Sequence, residues 1–173
     1  MYPLILRPIL KDYIWGGQRL KTEYNKQSDK SVIAESWELS CHKDGISIIS
    51  NGELSGVSLE EYINSDRRNI LGVKCERFDN FPILVKLIDA KNNLSIQVHP
   101  DNEYALKNEG QYGKKEMWYI VDCELDSYIY YGLNQDLSID EFKEKINNNT
   151  ILESLNAVKV QKGDVFFIES GTL

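Results

Sequence analysis

Three short runs in this chain hold residue types that can bind a metal ion. The first is Leu94-Ser95-Ile96-Gln97-Val98-His99-Pro100-Asp101. Side chains on an extended strand alternate between faces, so Ser95, Gln97 and His99 share one side and Leu94, Ile96 and Val98 the other. A polar face of that kind is costly inside a barrel unless its groups are satisfied. A bound metal would satisfy the amide and the imidazole together. A lone histidine ending a strand is ordinarily a surface residue, and amides are uncommon zinc ligands. The second run, Gly113-Lys114-Lys115-Glu116-Met117-Trp118-Tyr119, shifts that balance. Glu116 opens an apolar strand, where an inward-facing carboxylate needs a partner. Facing outward, it is a solvated edge residue beside two lysines. Together, a Gln-x-His on one strand and a Glu opening the next put three donors, Gln97, His99 and Glu116, within reach of one cavity. The third run, 163–173, reads mainly as a turn leading into an aromatic core strand.

The elements that must position these residues are mostly β. Residues 83–90 are nearly continuous apolar sequence with one lysine, as in a buried strand. Asn92-Asn93 is a turn signal, so 83–90 and 94–99 are expected to be neighbouring strands. Further strands are expected at 34–40, 45–50, 117–121 and 127–131, and at 157–160 and 165–168 on either side of Lys162-Gly163-Asp164. Two helix starts carry capping-box patterns, Ser58 with Glu61 and Ser138 with Glu141. They predict helical insertions near 58–71 and 138–155, and a short helix is expected over 101–107. Many short strands with Gly and Asn turns suggest a barrel or jelly roll, here a mainly β single domain with added helices.

Composition narrows the function. The chain has 173 residues, enough to bury a core without staples. Its formal net charge is −7 with no basic stripe, which argues against nucleic acid as a partner. A small anionic substrate would need a local cluster of lysines or arginines. Cys41, Cys75 and Cys123 are widely spaced and form no CxxC pair, so they read as reduced thiols in a cytoplasmic protein. The opening residues do not read as a signal peptide. No apolar run reaches the roughly 18 residues of a membrane span. The oligomeric state is not legible.

The runs together resemble the mannose-6-phosphate isomerase family in its shorter bacterial form. The resemblance rests on Trp15-Gly16-Gly17, Ala34-Glu35-Ser36-Trp37-Glu38, Pro82 to Asp89, Leu94 to Asp101, Glu116-Met117-Trp118-Tyr119 and Gly163 to Leu173, in family order. It implies a cupin-like jelly-roll barrel, incomplete at the C-terminus. It implies one zinc ion held by Gln97, His99 and Glu116, with a fourth ligand, a histidine, following Gly171-Thr172-Leu173 at position 174. It implies interconversion of mannose 6-phosphate and fructose 6-phosphate through an enediol-like intermediate. Lys114 matches the family's functional lysine, two residues before the Glu. Ser95, Trp15 and Glu35 fall in matching runs and are expected to line the sugar-phosphate site.

Two departures qualify the expectation. The family's second β-rich region, with its catalytic arginine, has no counterpart here, and Glu169 stands where a proline is common. The reading is therefore a truncated form that binds zinc weakly or not at all and turns over no substrate by itself. The alternative is a non-catalytic cupin module that binds metal or sugar, since fold alone does not give activity.

Overall fold

A computed structural model describes residues 2–173. The chain clusters into two compact units, the first ending at Leu94 and the second spanning Ser95–Leu173. In the first unit the elements run β1 (Leu6–Arg7), β2 (Ile9–Lys11), α1 (Arg19–Thr22), β3 (Glu35–Leu39), β4 (Cys41–His42), β5 (Gly45–Ile46), β6 (Ile48–Ile49), α2 (Leu59–Ser65), α3 (Arg67–Leu71) and β7 (Val85–Ile88). Strands β2, β3 and β7 form an antiparallel sheet with β3 in the middle. Strand β1 pairs with β6, and β4 pairs with β5. The core of this unit is Leu20, Ile33, Ala34, Trp37, Ile49, Leu59 and Ile63, all buried.

Gly16 and Gly17 are required by close approach. Gly16 forms an isolated bridge to Ala90, and Gly17 to Ile33. A Cβ on Gly16 would lie 2.6 Å from the Cα of Ala34, and one on Gly17 would lie 2.4 Å from a carboxylate oxygen of Asp89. Asp89 then accepts the Arg19 N–H at 2.7 Å, meeting one of the unpaired donors at the start of α1. The expected Ser58–Glu61 capping box forms at α2. The helix does not continue to residue 71 unbroken. Asp66, at φ −155° and ψ 63°, separates α2 from α3.

In the second unit the elements are α4 (Asn102–Asn108), β8 (Glu116–Tyr119), β9 (Tyr128–Leu133), α5 (Ile139–Asn147), β10 (Leu155–Lys159) and β11 (Val165–Ile168). They make two antiparallel ribbons, β8 with β11 and β9 with β10. The strands on either side of Lys162-Gly163-Asp164 thus join different ribbons. Gly163 takes φ 97°, and its N–H bonds to the Ile120 carbonyl. The Ser138–Glu141 capping box forms. The helix it starts ends at Asn147, and a short 3-10 turn at Ile151–Ser154 leads into β10. Among the described residues the ladders close no barrel.

Two expectations need correction. Strand β7 is shorter than 83–90, and its partner is β3, not residues 94–99. Residues 94–99 join no ladder among the described residues. Ile96 and Val98 are 38% and 55% exposed, so the apolar side of that run is not a core face. Alternation sets which side chains share a side, but a strand also needs a hydrogen-bonding neighbour. Here a backbone bond stands at the end of the run, from the Gly171 N–H to the His99 carbonyl, 2.9 Å. No helix among the described residues is long and apolar enough to cross a membrane.

The glycine contact is testable. Gly16→Ala should lower stability by about 1–3 kcal/mol, the usual cost of overpacking, read as a lower midpoint in denaturant unfolding. A midpoint equal to wild type would show that the Ala34 backbone yields freely.

Candidate functional site

The site is built from the second unit, where three segments meet at His99. Gly113 comes so close to the 101–102 backbone that a Cβ there would sit 2.4 Å from the Asp101 carbonyl carbon. Its N–H bonds to Asn102 Oδ1 at 2.9 Å, and the Lys114 N–H bonds to the Pro100 carbonyl at 3.1 Å. These contacts lay 113–116 alongside 99–102. The third segment follows β11. The register sets Ile168 opposite Glu116, and Gly171 is bonded to His99. An exposed ion pair, Lys115 Nζ to Glu169 Oε2 at 2.8 Å, joins the start of β8 to that same segment.

Within this frame the side chains of His99 and Glu116 are each 15% exposed, and His99 Nε2 lies 3.4 Å from Glu116 Oε2. Lys114 Nζ lies 2.8 Å from Glu116 Oε1. The Trp118 indole Nε1–H donates to Glu116 Oε2 at 3.0 Å. Burial pushes the Glu116 carboxyl up. The Lys114 hydrogen bond and charge, the Trp118 bond and the nearby His99 outweigh that and hold it below its ordinary value of 4.5. Glu116 is therefore an anion at neutral pH. Gln97 and Ser95 are both exposed, and the Gln97 amide donates to Ser95 Oγ at 2.8 Å.

A separate cluster in the first unit holds the other two expected site residues. Glu35 is 6% exposed. It accepts Trp37 Nε1–H at 2.7 Å and Lys86 Nζ at 3.2 Å. Trp15 stacks on Tyr13, with ring centroids 5.6 Å apart. The Tyr13 phenol is raised above its ordinary value of 10.0 by burial and then by the charge of Glu35.

Comparison with known proteins identifies the chain. Residues 4–119 match the family model for the catalytic domain of type I phosphomannose isomerase. The chain belongs to that family. A mannose-6-phosphate isomerase of Streptococcus mutans is 36% identical over 99% of this chain and 53% of its own length. The crystal structure of the mannose 6-phosphate isomerase from Bacillus subtilis superposes with a TM-score of 0.92 at 37% identity, over 100% of this chain and 54% of that one. A mannose 6-phosphate isomerase solved bound with zinc and yttrium shares the fold, with a TM-score of 0.71 at 19% identity over 98% of this chain and 64% of that one. The chain thus spans about half the length of the curated relatives it matches. The fold is that of a cupin-type phosphomannose isomerase, mainly β with added helices, as the sequence implied.

The donor set fits a zinc-type ion in part. Two ligands each about 2.1 Å from a tetrahedral ion stand roughly 3.4 Å apart, and the His99–Glu116 separation is 3.4 Å. That separation exceeds the roughly 2.7–2.9 Å of a good charge-assisted hydrogen bond. Among the described residues no group of three His, Cys, Asp or Glu side chains could hold a metal. Among the described residues a donor of another kind is the Gln97 amide, whose nitrogen points to Ser95. The structure thus brings together His99, Glu116 and Lys114, and separately Ser95 and Gln97.

Sequence reasoning missed Trp118, Gly113 and the Lys115–Glu169 pair. Trp118 could have been found. Residues two apart on a strand share a face, and Glu-x-Trp occurs at both 35–37 and 116–118. The other two depend on contacts across the fold.

The Glu116 shift makes a pH prediction. A carboxyl lowered on folding stabilises the protein above its unfolded value, and that contribution disappears as pH falls through the folded value. Stability of wild type should therefore drop below about pH 4.5 more steeply than that of Glu116→Gln, as measured by urea unfolding at a series of pH values. Parallel pH profiles would remove Glu116 from the acid response.

Proposed function

We propose that this chain supplies the metal-binding part of an aldose–ketose isomerase that interconverts mannose 6-phosphate and fructose 6-phosphate. The observation that carries the reading is the largely buried contact of His99 with an anionic Glu116, with Lys114 on the carboxylate's other oxygen. Membership of the phosphomannose isomerase family supports it, as does the zinc in a solved isomerase of the same fold.

In this reading Gln97, His99 and Glu116 hold one zinc ion. A bound zinc supplies Lewis-acid polarisation of the substrate oxygens. The residues of the chain do the rest. Isomerisation moves a proton between C2 and C1, leaving negative charge on the neighbouring oxygens in passing. Lys114 is 45% exposed at its side chain, so its ammonium can turn from Glu116 toward that developing charge. Trp118 keeps the carboxylate oriented as the lysine moves. Ser95 offers a hydroxyl on the exposed side of the same segment. By the family resemblance Trp15 and Glu35 are assigned to sugar-phosphate binding, and within the first unit Trp15 stacks on Tyr13 to offer an apolar face. The substrate partner is the sugar phosphate itself, and the compartment is the cytoplasm, where three unpaired thiols are stable.

Two measurements test this. Titration calorimetry of the 173-residue chain with zinc should give weak binding that His99→Ala abolishes. In the whole protein, a coupled assay with mannose 6-phosphate should show at least about a 100-fold loss for His99→Ala, since even outer partners of a metal site cost 10–100-fold. Unchanged zinc binding in the variant would refute the ligand set. Unchanged turnover would refute the role of the metal in the reaction.

A further inference from the structure

The two Glu-x-Trp pairs make the same three-part cradle in different surroundings. In β3, Glu35 Oε2 accepts Trp37 Nε1–H and Glu35 Oε1 faces Lys86 Nζ. In β8, Glu116 Oε2 accepts Trp118 Nε1–H and Glu116 Oε1 faces Lys114 Nζ. The spacing explains the shared geometry, because residues two apart project from one side of a strand. The difference lies in the lysine. The Lys86 side chain is 21% exposed and sits on the neighbouring strand, opposite Trp37. The Lys114 side chain is 45% exposed and precedes its own strand. The first cradle is closed, and the second is open on its lysine side.

An indole N–H only donates and does not exchange roles with pH. It therefore holds the carboxylate in one rotamer whether or not the lysine is in place. In β8 the oxygen that Trp118 holds is the one 3.4 Å from His99 Nε2. Phe166 stands opposite Trp118 in the ladder. We propose that Trp118 is a positioning residue for the metal site, fixing Glu116 Oε2 beside His99 so that zinc meets a carboxylate already oriented. Outer-shell partners of this kind orient ligands and tune affinity. The inference rests on the ligand set proposed above.

The test uses the whole 173-residue chain and zinc alone. In a 15N–1H correlation spectrum, the Trp118 indole cross-peak should shift with added zinc, while that of Trp37 stays in place. Trp118→Phe keeps an aromatic ring but removes the N–H, and its zinc dissociation constant should rise by about 10-fold. Trp37→Phe removes the matching donor from Glu35 and should lower thermal stability without changing zinc affinity. If His99→Ala abolishes zinc binding while Trp118→Phe binds as wild type does and the Trp118 cross-peak stays still, the positioning role is wrong and the ligand set stands. If His99→Ala binds zinc as wild type does, the ligand set fails and this inference fails with it. The cross-peak of the unaltered chain decides the matter even if Trp118→Phe does not fold.

Discussion

A carboxylate held largely out of water must be given partners, and much of the second unit's local structure does that for Glu116. Its two oxygens face an ammonium, an indole N–H and an imidazole. Leaving such a charge unpaired costs far more than any one of these contacts returns. The donors come from three places in the sequence: residue 99, residue 114 and residue 118. Backbone contacts must hold those places together, and Gly113 is small enough to let the 113–116 segment lie against 101–102. The Gly171–His99 bond adds the segment after β11.

The first unit meets the same constraint in a closed form. Glu35 is nearly buried, with an indole and a lysine on its two oxygens, and the central strand of the three-stranded sheet carries it. The chemistry is shared, and the exposure of the lysine separates the two. Glu35 has both oxygens engaged within its own sheet. Glu116 shares one oxygen with a half-exposed lysine, which can turn away. Exposure, not residue type, distinguishes the closed cradle from the open one.

Much of the architecture was legible in local sequence. Both capping boxes form because Ser58 with Glu61, and Ser138 with Glu141, satisfy free helix donors within one turn. Strands β8 and β11 lie close to their expected places because short apolar and aromatic runs are a local signal. The run 94–99 alternates apolar and polar residues and makes no ladder among the described residues, since pairing depends on distant partners. The break at Asp66 was also hidden, because the Ser58–Glu61 cap announces where a helix starts and not where it stops.

The sequence by itself determined the family, because a Gln-x-His, a following Glu and their flanking runs are chemically specific and keep their order, and it marked out the candidate ligands. It also determined that Glu116 and Trp118 share a face, since alternation on a strand is a property of the backbone. Only the tertiary structure decided that His99 and Glu116 touch, that Trp118 and Lys114 take different oxygens of one carboxylate, and that Gln97 turns to Ser95. Those outcomes depend on distances between segments far apart in sequence. Such distances are set by close approach at Gly113, by backbone bonds at Pro100 and Gly171, and by the need to neutralise a largely buried charge.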